Sequence, residues 1–356
     1  LKSIHFGSVT VDTIVLVDSY EIERLTLSNE GASFLLLETG RKVPTESITS
    51  HVGGGGCNTA VSLARRGWRT EVRAKVGRDL NADAVRDHLK ANAVDARLVP
   101  CGKSTGISVM IASHDRNASI FVHRGANETL RPDELSRFEG FDLVYVAPLS
   151  NASADCFPEI VAQAASVGAK IAVNPGIRQL TSRLSPFLRS LGRLELISIN
   201  RVEAEALIPA IMKHVEPALD RNTPEDAPAL ARRGLRAGGL TYRPADFLAA
   251  LRTLGPRWVC LTDGTDGAYL AGPDGVLWHP SLPVDVVGTA GAGDAFCSTL
   301  TAALMEGAAP EAAMRQASAN AASVVSHVDT TGGLLPSDAL RAAVNAIEGV
   351  ESRWLH

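Results

Sequence analysis

Two glycine-bearing segments have the residue types and spacing for chemistry on an anion. In VDVVGTAGAGDAFCSTLTAALMEG (284–307), Gly291-Ala292-Gly293 stands at the mouth of a helix with an apolar stripe of Phe296, Leu300, Ala303 and Leu304, ending at Gly307. Small residues there leave consecutive backbone N–H groups bare and aimed at one point, with the helix dipole behind them: an anion hole. Asp294, one step further in, reads either as a helix-start charge or as a general base beside the anion. Phosphoryl transfer needs that pairing, donors for charge developing on the transferred group and a base for the attacking hydroxyl. In HVGGGGCNTAVSLARRGW (51–68), a β-run over Ile48–Val52 feeds four glycines, and a helix follows from Asn58 to Arg66 with Gly67 as its C-cap. Glycines admit positive φ and close approach of a ligand, and Asn58 adds an amide beside free helix N–H groups. A plain tight turn is the bland alternative. The run is no dinucleotide fingerprint, because Asn58 stands where the third glycine of GxGxxG would fall. Gly102-Lys103-Ser104 imitates the tail of a phosphate-binding P-loop, but Arg97 occupies its first-glycine position and excludes it.

Three zones must position these segments. Up to about Arg124 the chain carries short β-runs (3–6, 13–17, 33–38, 48–52, 71–76, 107–113 and 119–123), several alternating apolar and polar as half-buried antiparallel strands do. Next, the apolar runs 143–146, 169–173, 195–199 and 258–262 alternate with helical stretches, the pattern of a parallel sheet covered on both faces. The third zone is helical, over 290–306, 310–326 and 336–348. A Pro- and charge-bearing stretch at 208–243 reads as a surface insertion, since a helical run and then a β-run resume after it.

Lys+Arg 35 against Asp+Glu 39 leaves no basic excess for a phosphate backbone, which argues against nucleic acid as main partner. No apolar run has the length of a membrane span, and the opening residues lack signal-peptide order. The five cysteines are scattered singly, which supports neither a disulfide framework nor a zinc site. A cytoplasmic location is the expectation.

The two motifs, in this order and at this separation, resemble the signatures of the ribokinase-like (PfkB) carbohydrate kinases. Smaller matches follow the same order: Gly7–Asp12 resembles the opening strand with its sugar-binding aspartate, Gly125-Ala126-Asn127 the GAN after the lid strands, Asn200–Glu203 the NxxE motif, and Val259–Gly267 the strand and turn at the nucleotide. The resemblance implies a three-layer α/β/α fold with a mainly parallel sheet and a small β-sheet lid, over the whole chain. The lid would be built from about 13–50 and 104–124. It also implies ATP-dependent phosphorylation of a hydroxyl on a sugar or sugar-like acceptor. Asp294 would be the base and Gly291, Ala292 and Gly293 the anion hole. Asp12, Gly54, Asn58 and Asn127 would hold the acceptor. Asn200 and Glu203 would organise Mg²⁺, Glu203 through water. Thr262, Gly264 and Gly267 would line the ATP cleft, with Asn320 towards the adenine. A homodimer through the lid is a further expectation.

The pattern breaks at Gly288, where the family usually carries an Asp that helps bind a monovalent cation, so activation by potassium is expected to be weak or absent. Asn174–Arg178 matches the DPNxR segment of some sugar kinases only at Pro175 and Arg178, which leaves the acceptor unnamed. The alternatives are a nucleoside kinase of the same family and a catalytically silent sugar- or nucleotide-binding protein. Asp294 speaks against the second, because a binding module needs no base.

Overall fold

The computed structural model describes residues 1–17, 23–27, 32–36, 39–40, 42–112, 118–217 and 224–355. The chain opens with β1 (Lys2–Phe6), then leaves for a small separate sheet that takes β2 (Thr10–Val17) and β5 (Thr45–Gly53), with β3 (Glu23–Leu27) and β4 (Ala32–Leu36) between them as a two-stranded sheet of their own. Helix α1 (Gly55–Arg65) returns it to the large sheet at β6 (Arg69–Val76), followed by α2 (Leu80–Ala91) and β7 (Val94–Pro100). Strands β8 (Gly106–Ala112) and β9 (Ala118–His123) complete the small sheet. Alternation then sets in: β10 (Leu143–Val146), α3 (Ala152–Asp155), α4 (Phe157–Ser166), β11 (Lys170–Val173), α5 (Gly176–Ser182), α6 (Leu184–Ser190), β12 (Leu196–Asn200) and α7 (Arg201–Ile211). Helix α8 (Ala229–Arg233), the hairpin β13 (Leu235–Ala237) and β14 (Leu240–Tyr242), and α9 (Pro244–Thr253) lead to β15 (Trp258–Thr262), β16 (Ala268–Gly272) and β17 (Gly275–His279). Helices α10 (Ala292–Met305), α11 (Pro310–Val325) and α12 (Ser337–Asn345) precede β18 (Arg353–Leu355).

The large sheet runs β7-β6-β1-β10-β11-β12-β15-β16-β17-β18. It is parallel as far as β15 and antiparallel beyond. Each of the four residues of β10 is buried, as a parallel strand covered on both faces requires. One face packs under Phe157, Phe187, Leu207 and Phe247. The other packs under Leu63, Phe296, Leu300 and Met314, and near β6 under Val61, Val85 and Leu89. These are the three layers, sheet between helices. Among the described residues no helix is long and apolar enough to cross a membrane.

The small sheet runs β5-β2-β8-β9, with β2 and β8 parallel and the outer pairs antiparallel. The segments expected to form a lid, about 13–50 and 104–124, contain these strands together with residues outside the described set (18–22, 28–31, 37–38, 41 and 113–117). In the stretch 208–243, residues 218–223 lie outside it too. The remainder is no purely solvated appendage, because Leu230, Leu235 and Tyr242 are buried in the main core.

One part of the strand reading needs correction. Strands β1 and β6 alternate apolar and polar, yet they lie in the parallel core sheet. Their polar side chains are buried against neighbours on the same strand and against distant partners: Arg73 on Glu71 at 2.6 Å and on the Leu135 and Arg137 carbonyls, Lys75 on Glu134 at 2.7 Å, and His5 on Ser3 and Thr59 at 2.9 Å each. Alternation therefore marked pairing across the core and not a solvent face. Strands β7, β16, β17 and β18 complete the large sheet beyond the β-runs read from the sequence.

Candidate active site

The glycine run works as a hinge between two backbones in contact. β5 ends at Gly53, and Gly54, with φ +95°, is the N-cap of α1. A Cβ on Gly54 would stand 2.5 Å from the Ser8 carbonyl oxygen, and one on Gly7 would stand 2.7 Å from the Gly56 nitrogen. Only bare backbone fits there. The Gly56 N–H donates to the Ser8 carbonyl at 3.0 Å, tying the end of β1 to the start of α1. Asn58, one turn in and 3% exposed, is thereby held at the start of α1.

Helix α10 starts in the same way. Gly291 is its N-cap in the left-handed region at φ +80°, and Asp294 sits in the first turn. Ala292 N–H reaches the Thr289 carbonyl at 3.4 Å, and Gly293 is exposed, with open space where a Cβ would be. The first-turn N–H groups lack intrahelical partners and face this opening.

The two motifs meet directly. Asn58 Nδ2 donates to Asp294 Oδ2 at 2.8 Å, across 236 residues of sequence. Burial pushes the Asp294 carboxyl above its ordinary value; the Asn58 amide pulls it back and the charge of Asp12 pushes it up again. Asp12, 8% exposed, comes from β2 and lies beside His51 of β5 and Ser108 of β8 in register. Ser108 Oγ donates to Asp12 Oδ1 at 2.5 Å. Burial raises the Asp12 carboxyl too, against the hydroxyls of Ser108 and Thr10 and the charge of His51. Asp12, Gly54, Asn58, Asp294 and the 291–293 turn are thus brought together in one place. It lies where β1 gives out at its carboxyl end, the place where open α/β sheets bind ligands.

On the same edge of the sheet, Asn200 ends β12 and Thr262 ends β15, paired in register. Asn200 Oδ1 accepts from Glu203 N–H at 3.0 Å, and Glu203 Oε2 accepts from Asn200 N–H at 2.9 Å, a complete capping box on α7. Glu203 is 6% exposed, and burial pushes its carboxyl up against the single pull of the Asn200 amide. Burial, with the charges of Asp294 and Glu203 adding to it, pushes the Cys297 thiol up to about 12, so it is neutral. Past Thr262 the chain turns through Gly264 at φ +56° and Gly267 at φ +88°. Asp263 in that turn pairs with Arg201 at 3.2 Å and with Arg233 of α8, which also reaches Asp266 at 2.7 Å.

Two expected ligand amides are engaged by the protein. Asn127 accepts from Val9 N–H at 3.0 Å and donates to the Val9 carbonyl at 2.8 Å, clasping the turn between β1 and β2. Asn320, 2% exposed, donates to Thr299 Oγ1 and accepts from Leu335 N–H, both at 2.8 Å. Sequence reasoning missed Ser108, His51 and Thr330. The first two are found only through strand register, and the third through a loop after α11 whose residue types carry no signal. At Gly288, a Cβ would stand 3.0 Å from the His327 carbonyl and 3.4 Å from that of Val328.

Comparison with known proteins follows this geometry. The chain is 27% identical over 303 residues to ribokinase of Bacillus subtilis, covering 83% of this chain and 89% of that one. It is 25% identical over 306 residues to a bifunctional ribokinase/ribose-5-phosphate isomerase A of Fructilactobacillus sanfranciscensis, covering 85% of this chain but only about half, 48%, of the relative. Among solved structures, ribokinase of Cryptococcus neoformans in complex with ADP superposes with a TM-score of 0.70 at 20% identity, over 96% of this chain and 98% of the other. Burkholderia thailandensis nucleoside kinase in complex with inosine superposes at 0.69 and 17% identity, over 99% of both. Residues 13–338 match the family described as pfkB family carbohydrate kinase, and with the fold and the order of its motifs in agreement, the chain belongs to that family.

Proposed function

We propose that the protein transfers the γ-phosphoryl group of ATP to a hydroxyl of a sugar or sugar-like acceptor held between Asp12, the Gly54 turn and Asn58. The observation that carries this reading is the 2.8 Å hydrogen bond from Asn58 to Asp294, which joins the acceptor-side loop to the anion-hole helix. As the acceptor oxygen bonds to the γ-phosphorus, its proton passes to the Asp294 carboxylate and the bond to the β-phosphate oxygen breaks, releasing ADP. Burial makes Asp294 a stronger proton acceptor than an exposed carboxylate, and the N–H groups of 291–293 face the charge that develops. Asn127 supports the acceptor site by fixing Val9 and the start of β2, and Asn320 supports the nucleotide side by fixing the chain at Leu335. The small sheet closes over the acceptor and keeps water from competing for the phosphoryl group.

Glu203 is buried, has no ion pair among the described residues, and is held by one backbone amide, so its oxygen donor suits a hydrated Mg²⁺. Bound there with Asn200 nearby, Mg²⁺ would offset phosphate charge. Thr262 and the Gly264–Gly267 turn would line the nucleotide.

A nucleoside acceptor is the second reading, favoured by the superposition on the Burkholderia nucleoside kinase. The test is ADP release from Mg-ATP with a panel of free sugars, nucleosides and sugar phosphates. Turnover of a free sugar in preference to nucleosides is the expected result; preference for nucleosides selects the second reading, and no ADP release with any compound overturns both.

A further inference from the structure

We infer that Thr330 is a positioning residue for the base: its hydroxyl anchors the oxygen end of the Asn58 amide, and so holds the Asn58 N–H₂ group on Asp294. The inference rests on Asp294 being the base. Thr330 Oγ1 donates to Asn58 Oδ1 at 2.9 Å, a buried contact spanning 272 residues. A side-chain amide has two ends of opposite character, and the wrong end would set a carbonyl oxygen against the Asp294 carboxylate. The carboxylate only accepts, so it selects the N–H₂ end, and the Thr330 hydroxyl, donating to the oxygen end, anchors the amide in that place. Thr330 has little freedom to do anything else, being 6% exposed.

Its surroundings hold it there. Thr330 fills the space that a Cβ on Gly53 would need (2.8 Å from Thr330 Oγ1) and that a Cβ on Gly291 would need (2.8 Å from Thr330 Cβ). It is therefore wedged between the two signature turns, and their missing side chains make room for it. The residues around it are pinned from both sides. The Asp329 carboxylate accepts from Thr331 N–H at 2.9 Å and from Gly332 N–H. The Arg65 guanidinium donates to the Thr331 and Leu334 carbonyls at 2.6 and 2.8 Å. Arg65 belongs to α1, the helix that carries Asn58, so the loop is tied to the same helix as the amide it anchors.

The groups that sense or set the charge on Asp294 are few. Asn58 of α1 pulls its carboxyl down, and Asp12 of β2 pushes it up. Cys57 and Cys297, each pushed to about 12, and Tyr145, pushed well above its ordinary value, are neutral. Loosening Asn58 leaves burial and Asp12 unopposed and raises Asp294 further.

The test compares Thr330→Val, which keeps the shape and loses the donor, with Thr330→Ser, which keeps the donor. The Asp294 pKa is read by carboxyl ¹³C titration on the full chain, without substrate. Turnover is read with ATP and, as acceptor probes, D-ribose and inosine. We expect the valine variant to raise the Asp294 pKa by about half a unit or more. The acid limb of kcat against pH should move up with it, and kcat should fall about tenfold with KM for ATP within about twofold. The serine variant should stay near the parent in all of these. If the valine variant fails to fold, Thr330→Ala carries the same readouts. An unchanged Asp294 pKa in the valine or alanine variant overturns the inference, as does a serine variant as impaired as the valine. Asp294→Asn separates the two claims: full activity in that variant defeats the base reading itself, whatever Thr330 does.

Discussion

Asp294 carries a charge that the fold would be more stable without. Its pKa is raised in the folded chain, so the stability it contributes is fully present only below the unfolded carboxyl value and is lost as pH rises through the folded one. At neutral pH the ionised group is a cost to the fold. Asp294→Asn removes the charge while its amide oxygen can still accept from Asn58. We expect kcat to fall about 10²–10⁴-fold, the usual cost of a lost general base. We expect Tm at pH 7 to rise at the same time, with the gain shrinking as pH is lowered towards the carboxyl range. A variant that is less stable and nearly fully active would mark Asp294 as a structural cap.

At the scale of elements, the observed cap at Asn200 and Glu203 and the Mg²⁺ role proposed for them can be separated by substitution. The capping box closes the first turn of α7, and loss of an N-cap typically costs about 0.5–2 kcal/mol. Glu203→Gln can still accept from the Asn200 N–H through its amide oxygen but carries no charge. We expect its urea midpoint to stay near the parent value while the Mg²⁺ concentration for half-maximal rate rises severalfold. An unchanged Mg²⁺ dependence would leave the pair as a cap alone. The loop before α10 makes a second prediction. Gly288 presents no carboxylate, and what lies against it is the backbone carbonyls of His327 and Val328. Replacing K⁺ by a bulky organic cation should change the rate less than about twofold; a large loss would mean that carbonyl oxygens alone hold a cation.

Over the whole molecule, acid sensitivity should trace to buried imidazoles. His5 of β1 is bonded to Thr59 of α1 and stacked on Tyr145 of β10 at 5.5 Å, and burial lowers its pKa from 6.5 to about 3. His279, at the end of β17, is lowered to about 4. A depressed histidine contributes stability that is present above 6.5 and drains away as pH falls towards the folded value. The slope approaches about 1.4 kcal/mol per pH unit for each group. Asp12, Glu203 and Asp294 lean the other way, since their raised pKa values favour the folded chain as pH falls. Urea unfolding between pH 7 and 4 should therefore show a shallower pH slope for His5→Asn than for the parent chain; parallel curves would remove His5 from the account.

What could be read from the sequence is what neighbouring residues decide among themselves. Gly54 and Gly291 take up positive φ where the Gly53–Gly56 run and Gly291-Ala292-Gly293 announced tight turns, and the apolar runs at 143–146 and 258–262 became buried strands of the parallel sheet. Local sterics and solvation set both, so composition and order suffice. What only the tertiary structure decided depends on partners far along the chain. Asn127 and Asn320 have the residue type of ligand-binding amides, and the fold spends them on Val9, Thr299 and Leu335. Glu71, Arg73 and Lys75 look like a solvated edge and lie buried, because Glu134 and the carbonyls of Leu135 and Arg137 come back to meet them. Thr330 has no marking in the sequence at all, yet it reaches Asn58 across most of the chain. A polar side chain takes whichever partner desolvation leaves beside it, and that neighbour is chosen by the packing of whole elements and not by the residues next to it in the chain.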